Sequence, residues 1–312
     1  MAARHKWSVR QWVLAGTALS IVTGCIVGAS PARAAGPLDK LDTSLNWVPD
    51  DAAFYSASLR NGEQIEAIGK SRAWAAIMEL PAVQDLRKQI SDAMELPKRG
   101  DVGMELDQFT RSIIQLKAAW ENFEVRQAVK FLGDMFSQEV FVYGDQGAVD
   151  LIELVQRVSS EVRYGQMLGE LTGKGRRGVD PAALVISALA ENLELLKVPN
   201  VIFGFRVKDR QLAVQELAKL EVAVNALLMF APQYGDRWKR TTVAGNEYLT
   251  LTLDGEMIPW NEIPVEEARE HELHKGDLDK VVKRVRAMKQ VIALGLRGDY
   301  LLLAFGPSTD RL

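Results

Sequence analysis

The densest group of potential ligands in this 312-residue chain is Glu266-Glu-Ala-Arg-Glu-His-Glu-Leu-His274. On a helix, Glu267 and His271 stand four residues apart, His271 and His274 three, and Glu270 and His274 four. The four side chains then share a face and form a candidate divalent-metal site, the centre a metal-dependent hydrolase would need. The spacing is not His-Glu-x-x-His, so zinc-protease geometry is absent. Arg269 and Lys275 interleave the acids. The competing reading is therefore a solvated helix of mixed charge.

Other chemistry-bearing patterns are weaker. The 169–180 loop carries Gly173-Lys174, but three residues rather than four separate Gly169 from Gly173, and Gly175 occupies the hydroxyl position of a phosphate loop. It reads as a surface loop. Arg297-Gly298-Asp299 spells a cell-adhesion tripeptide, although Gly-Asp is what a tight hairpin requires by itself. Among the tryptophans, Trp74 and Trp120 fall on apolar helix faces and read as core, whereas Trp238 and Trp260 lie near loops, where an exposed ring would suit a saccharide. Asp50 and Asp51 follow Pro49 and read as turn and cap rather than as an acid–base pair.

Composition removes whole classes of chemistry. Cys25 is the only cysteine, and after residue 34 the only histidines are His271 and His274. The rest of the chain therefore has no disulfide, thiol nucleophile or thiolate metal site. The whole chain has 38 basic and 41 acidic residues. Four of the basic ones, Arg4, Lys6, Arg10 and Arg33, lie before residue 35, which leaves the remainder at about −7. An acidic surface of mixed charge argues against nucleic acid as a partner.

Those first residues have the three-part layout of a secretory signal. A basic start free of acids is followed by an apolar run over 12–29, then by Ala32-Arg33-Ala34 and a Gly36-Pro37 break. Residues 1–34 are thus expected to be removed on export, giving a periplasmic or secreted protein. Two alternatives remain open. Val22-Thr-Gly-Cys25 is similar to a bacterial lipobox, in which Cys25 would be acylated and tether the protein to a membrane. The apolar run is also just long enough to serve as an uncleaved anchor.

The elements that must position the candidate residues follow from periodicity. Strands are expected over 53–60, 139–144 and 201–207, the first with Tyr55, Ala57 and Leu59 on one face. Asn61 caps a helix carrying Ile65, Ile68, Trp74 and Ile77; Pro81 starts a second, and Pro97-Lys-Arg-Gly-Asp101 breaks it. Residues 106–136 hold two more helices. Asp145 caps a helix to about 168, Pro181 opens one to about 196, and a long helix ends near Phe230. Hairpins are expected around Gly245-Asn246 and Gly298-Asp299, with a charged helical stretch over 264–288 between them. The final run from Gly306 reads as the start of a further helix, with Ser308 or Thr309 as its cap and Leu312 as its first buried residue.

Val48-Pro49-Asp50 and Val198-Pro199-Asn200 each precede a strand that enters a helix, a loose internal echo of a strand–helix–hairpin module. The expected fold is α+β: an antiparallel sheet with helices on one face and a helix-rich first half, with duplication of the module left open. It would divide into a 38–197 helix-rich module and a 198–312 strand–helix–hairpin module.

Val48-Pro-Asp-Asp-Ala-Ala-Phe-Tyr-Ser-Ala-Ser-Leu-Arg60 resembles the opening of a family of exported bacterial proteins defined by a domain of unknown function. So do Glu139-Val-Phe-Val-Tyr-Gly-Asp145, Phe203-Gly-Phe-Arg-Val-Lys-Asp209, Tyr248-Leu-Thr-Leu-Thr-Leu-Asp-Gly255 and Tyr300-Leu-Leu-Leu-Ala-Phe-Gly306. The resemblance spans most of 45–312. It implies export, an α+β fold and a further helix after the last strand, and it supplies no activity, cofactor or catalytic residue. The expected function is a non-enzymatic envelope protein that binds an envelope partner or a ligand and needs no cofactor. The alternatives are the metal-dependent hydrolase and a periplasmic ligand carrier.

Overall fold

A computed structural model describes residues 42–95, 112, 118, 121–171 and 180–312. The signal segment, Cys25, most of the 169–180 glycine-rich loop, the 97–101 break and Trp120 lie outside the described residues. The chain divides into one unit ending at Val48 and a compact unit over Pro49–Leu312. Of the first, the described residues hold a single 3-10 turn, Ser44–Trp47.

In the second unit the strands are β1 (Phe54–Leu59), β2 (Glu139–Gly144), β3 (Val201–Arg206), β4 (Trp238–Val243), β5 (Asn246–Asp254), β6 (Lys289–Arg297) and β7 (Tyr300–Gly306). The helices are α1 (Asn61–Gly69), α2 (Arg72–Met78), α3 (Pro81–Glu95), α4 (Phe123–Ser137), α5 (Gln146–Leu171), α6 (Pro181–Glu191), α7 (Arg210–Leu228), α8 (Val265–Arg269) and α9 (Asp277–Arg286). One seven-stranded sheet runs in the order β1-β2-β3-β7-β6-β5-β4, and every neighbouring pair is antiparallel. The fold is α+β. The two expected modules share this sheet, because β2 pairs with β3 across the 197/198 boundary. The strand-into-helix opening recurs, β1 into α1 and β3 into α7, while both hairpins belong to the second half.

Register explains the two faces. Phe205, Leu301 and Leu296 stand directly opposite one another across β3, β7 and β6. Met135 and Phe131 of α4 and Ala213 and Leu217 of α7 pack on that row, so these two helices cover the same face. On the other face Phe141, Ile202, Tyr248, Ala293 and Tyr300 are each at most 4% exposed. Side chains there lean sideways over glycines. A Cβ at Gly204 would stand 2.0 Å from the Phe141 ring, and one at Gly295 would stand 2.5 Å from Tyr248. No other residue leaves room for those rings to lie flat on the sheet.

The Asp145 cap read from the sequence is in place, and two further aspartates cap helices that the sequence reading left without a named cap. Asp145 accepts from the Ala148 amide, Asp209 from Leu212, and Asp180 from Ala182 ahead of Pro181. Asp145 also takes the Asn200 side-chain amide at 2.5 Å, tying the start of α5 to the start of β3. Asn61 is different: the cap position belongs to Arg60, in the left-handed region at φ 57°. The first hairpin turns one residue earlier than its Gly-Asn pair suggests. Ala244 and Gly245 take φ 49° and 78°, and Asn246 already belongs to β5.

Trp74, Ile65 and Ile68 are not core. They are 40%, 67% and 58% exposed, and among the described residues α1 to α3 pack mainly on one another and on α4.

Candidate binding groove

The site grows out of the end of β5. After Asp254 the chain bends through a 3-10 turn, Gly255–Met257. The Gly255 amide donates to the Met288 carbonyl at 2.9 Å, and its own carbonyl accepts from the Trp260 indole at 2.8 Å. A side chain at Gly255 has no space, since a Cβ would stand 1.8 Å from the Val285 carbonyl oxygen. β5 therefore meets the last turn of α9 backbone to backbone, and the indole is fixed by the same residue. The Arg286 guanidinium stacks over the Trp260 ring at 5.0 Å, completing a rigid aromatic–cation pair.

The charged run 264–288 is two helices rather than one. α8 stops at Arg269, and α9 begins only at Asp277. The break has a local cause: the Glu272 carboxylate accepts from the amides of Gly276 and Leu278 at 2.8 and 2.9 Å, capping α9 from outside. Gly276, at φ 94°, provides the left-handed turn this requires.

The break also decides the fate of the candidate metal ligands. Glu267 remains on α8 and Glu270 is its C-terminal cap residue. His271 leaves the helix and pairs through Nδ1 with Asp180, while His274 faces Asp277 at 3.4 Å. The four residues are not presented on one helix face. Among the described residues, no group of three or more His, Cys, Asp or Glu side chains converges to hold a metal. Asp277, 5% exposed at its side chain, takes Lys280 at 2.9 Å at the start of α9.

α8, α9 and the 255–260 turn enclose an open groove of about 580 Å³ with Trp260, Val265 and Val282 in its lining. Its charged groups come in equal numbers: Glu256, Glu266 and Asp279 against Arg269, Lys283 and Arg286. Arg269 crosses the groove, pairing with Glu266 at 3.6 Å and Asp279 at 2.8 Å. Glu256 and Lys283 make no ion pair with any described residue and leave an acceptor and a donor facing solvent. Trp260 alone is picked out by its position in the sequence. The rest of the groove is invisible there because the residues converge only once the run breaks in two.

Other sites read from the sequence resolve into structure. Arg297-Gly298-Asp299 forms the β6–β7 tip, where the Gly298 carbonyl accepts from Arg210 and the Asp299 carbonyl from the Val207 amide. Asp51 pairs with Arg311 at 2.6 Å, and that guanidinium holds its carboxyl below the usual carboxylate range. After β7 the described residues form a turn, with the Ser308 hydroxyl accepting from the Asp310 amide and Leu312 9% exposed.

A second cleft, of about 280 Å³, lies between α7 and the β4–β5 hairpin. Leu217, Leu249 and Leu294 line it, and Arg240 bridges Glu221 and Glu247 beside it. That clamp pushes Glu221 down and Arg240 up from their ordinary values.

These features define an α+β protein with a charge-balanced groove beside a tryptophan held by Gly255 and Arg286. No family model, no curated protein and no solved structure matched this chain. Among the described residues, no helix is long and apolar enough to cross a membrane.

Proposed function

We propose that this chain is an exported cell-envelope protein that acts by binding, without catalysis, and that the groove between α8 and α9 is its contact surface. The observation that carries the reading is the fate of the chemistry-bearing run. Glu272, His271, His274 and Asp277 are used to cap and pair local structure, and what they build is a preformed cleft with a free donor and acceptor on its rim. Binding sites for small ligands have this character: a concave surface of about 300–1,000 Å³ with a few fixed polar groups. Export is supported by the basic, apolar and Ala-x-Ala succession in residues 1–34. The acidic surface makes nucleic acid an unsuitable partner.

Two measurements test this. Fractionation of the producing cell with mass spectrometry of the N-terminus is expected to find the chain outside the cytoplasm, starting at Ala35. An acylated Cys25 would instead place it on a membrane, and a cytoplasmic chain with Met1 intact would refute export. A photo-crosslinking amino acid at Lys283 is expected to capture an envelope component, while one at exposed Lys70, away from the groove, captures none. Equal labelling at both positions would refute the groove as the contact surface.

A further inference from the structure

We infer that the groove between α8 and α9 takes a neutral oligosaccharide. The inference rests on the reading of that groove as a binding surface and adds the chemistry of what it binds.

Charge balance is the first argument. With three carboxylates and three cations on its lining, the groove carries no formal net charge that would favour a polyanion or a polycation. A neutral ligand suits it better, provided the ligand has groups that both donate and accept. Sugar hydroxyls do both: they donate to Glu256 and accept from Lys283, which with Arg286 over Trp260 are the lining charges that make no ion pair among the described residues.

The second argument is the tryptophan. Sugar rings combine hydroxyl edges with an apolar C–H face, which packs on a flat aromatic surface. Trp260 is partly exposed in the groove, and its indole N–H is already committed to Gly255. Arg286 covers one face of the ring and, with the Gly255 bond, holds the indole in place, so a sugar would pack on the part of the ring that Arg286 leaves open and less ordering remains to be met on binding. The groove is also open to solvent rather than enclosed, so a ligand larger than one sugar ring is not shut out of it. An aliphatic ligand is better matched by the leucine-lined cleft under α7.

Isothermal titration of the full chain purified from the producing cell tests the proposal, with chitotriose, cellotriose and maltotriose as probes and inorganic phosphate and spermine as charged controls. At least one trisaccharide is expected to bind with Kd below about 1 mM, and neither control to bind. Lys283→Met and Glu256→Gln are each expected to weaken binding about tenfold with an unchanged circular-dichroism spectrum, since both side chains are on the surface. Trp260→Ala is expected to abolish binding, and if it fails to fold the two surface variants still decide the matter. No binding of any trisaccharide at about 10 mM would overturn the inference, as would affinities unchanged in both surface variants. So would tighter binding of phosphate or spermine. If saccharides fail while Lys283 still captures an envelope component, only the ligand class is wrong. If both fail, the binding reading goes with it.

Discussion

Gly255→Ala is expected to be among the most damaging single-methyl additions in this protein. The new Cβ would stand 1.8 Å from the Val285 carbonyl oxygen and 2.7 Å from the Arg286 Cα. Both are backbone atoms, so no rotamer change relieves the clash. Restoring ordinary contact requires β5 and the end of α9 to separate by about 1.5 Å. Overpacking of this kind costs about 1–3 kcal/mol. The shift also strains two hydrogen bonds, Gly255 to Met288 and Trp260 to Gly255, each worth about 1 kcal/mol. Reduced freedom of the unfolded chain returns about 0.4–1 kcal/mol. The net loss is about 3 kcal/mol, a sizeable part of a typical stability of about 5–15 kcal/mol. Urea unfolding followed by far-UV circular dichroism should show a midpoint lowered by about 1 M, and groove binding should weaken in parallel. Gly69→Ala serves as the control, because nothing lies within 4 Å of its Cβ position at the end of α1. It should stabilise by about 0.5 kcal/mol. A Gly255→Ala protein within about 0.5 kcal/mol of wild type would refute the close backbone contact as the anchor of α9.

Further outcomes follow from the buried polar groups. The Tyr248 hydroxyl is buried with no hydrogen-bond partner among the described residues, so Tyr248→Phe should be neutral or stabilise by about 1 kcal/mol. Tyr300→Phe removes a 2.7 Å bond to buried Glu139 and should cost about 1.5–3 kcal/mol; equal effects at the two sites in thermal unfolding would contradict this. Burial pushes the phenols of Tyr143 and Tyr248 above their ordinary value of 10.0, so the late-ionising part of an ultraviolet titration should shrink in Tyr143→Phe and in Tyr248→Phe. Hydrogen bonds from Lys197 and then Gln146 hold Asp150 below its ordinary 3.8. The stability this confers is present above pH 3.8 and is lost as pH falls through the depressed folded value. Lys197→Met should return the Asp150 titration, followed by carboxyl NMR, toward 3.8; an unmoved titration would show that Lys197 is not its cause.

Strand identity was legible because alternation is local. Phe141 and Tyr143 alternate with Val140 and Val142, and the register confirms that the two sets face opposite ways. The Asp145 cap was legible for the same reason, since it bonds an amide three residues ahead, and Asp180 and Asp209 do the same work at helix starts where no cap was named. The groove was not legible. The composition of 264–288 favours one helix, and periodicity alone would line up Glu267, His271 and His274. What breaks the run is Glu272 turning back to cap α9, a choice between helix continuation and side-chain capping that spacing does not decide. The buried standing expected of Trp74 failed for a related reason. An apolar stripe declares that a helix has a face to cover, but not that the sheet covers it.

Sequence by itself determined the α+β class, the two-residue hairpin at Gly298-Asp299, the Asp145 cap and the lack of any cysteine after Cys25, all set by neighbouring residues or by composition. Tertiary structure decided the rest. It joined both halves of the chain in one sheet, laid Phe141 and Tyr248 over glycines on neighbouring strands, and divided the charged run. It also brought Trp260 under Arg286 beside a charge-balanced rim. Each of these depends on contacts between segments distant in sequence, whose free energies are settled by packing rather than by any local pattern.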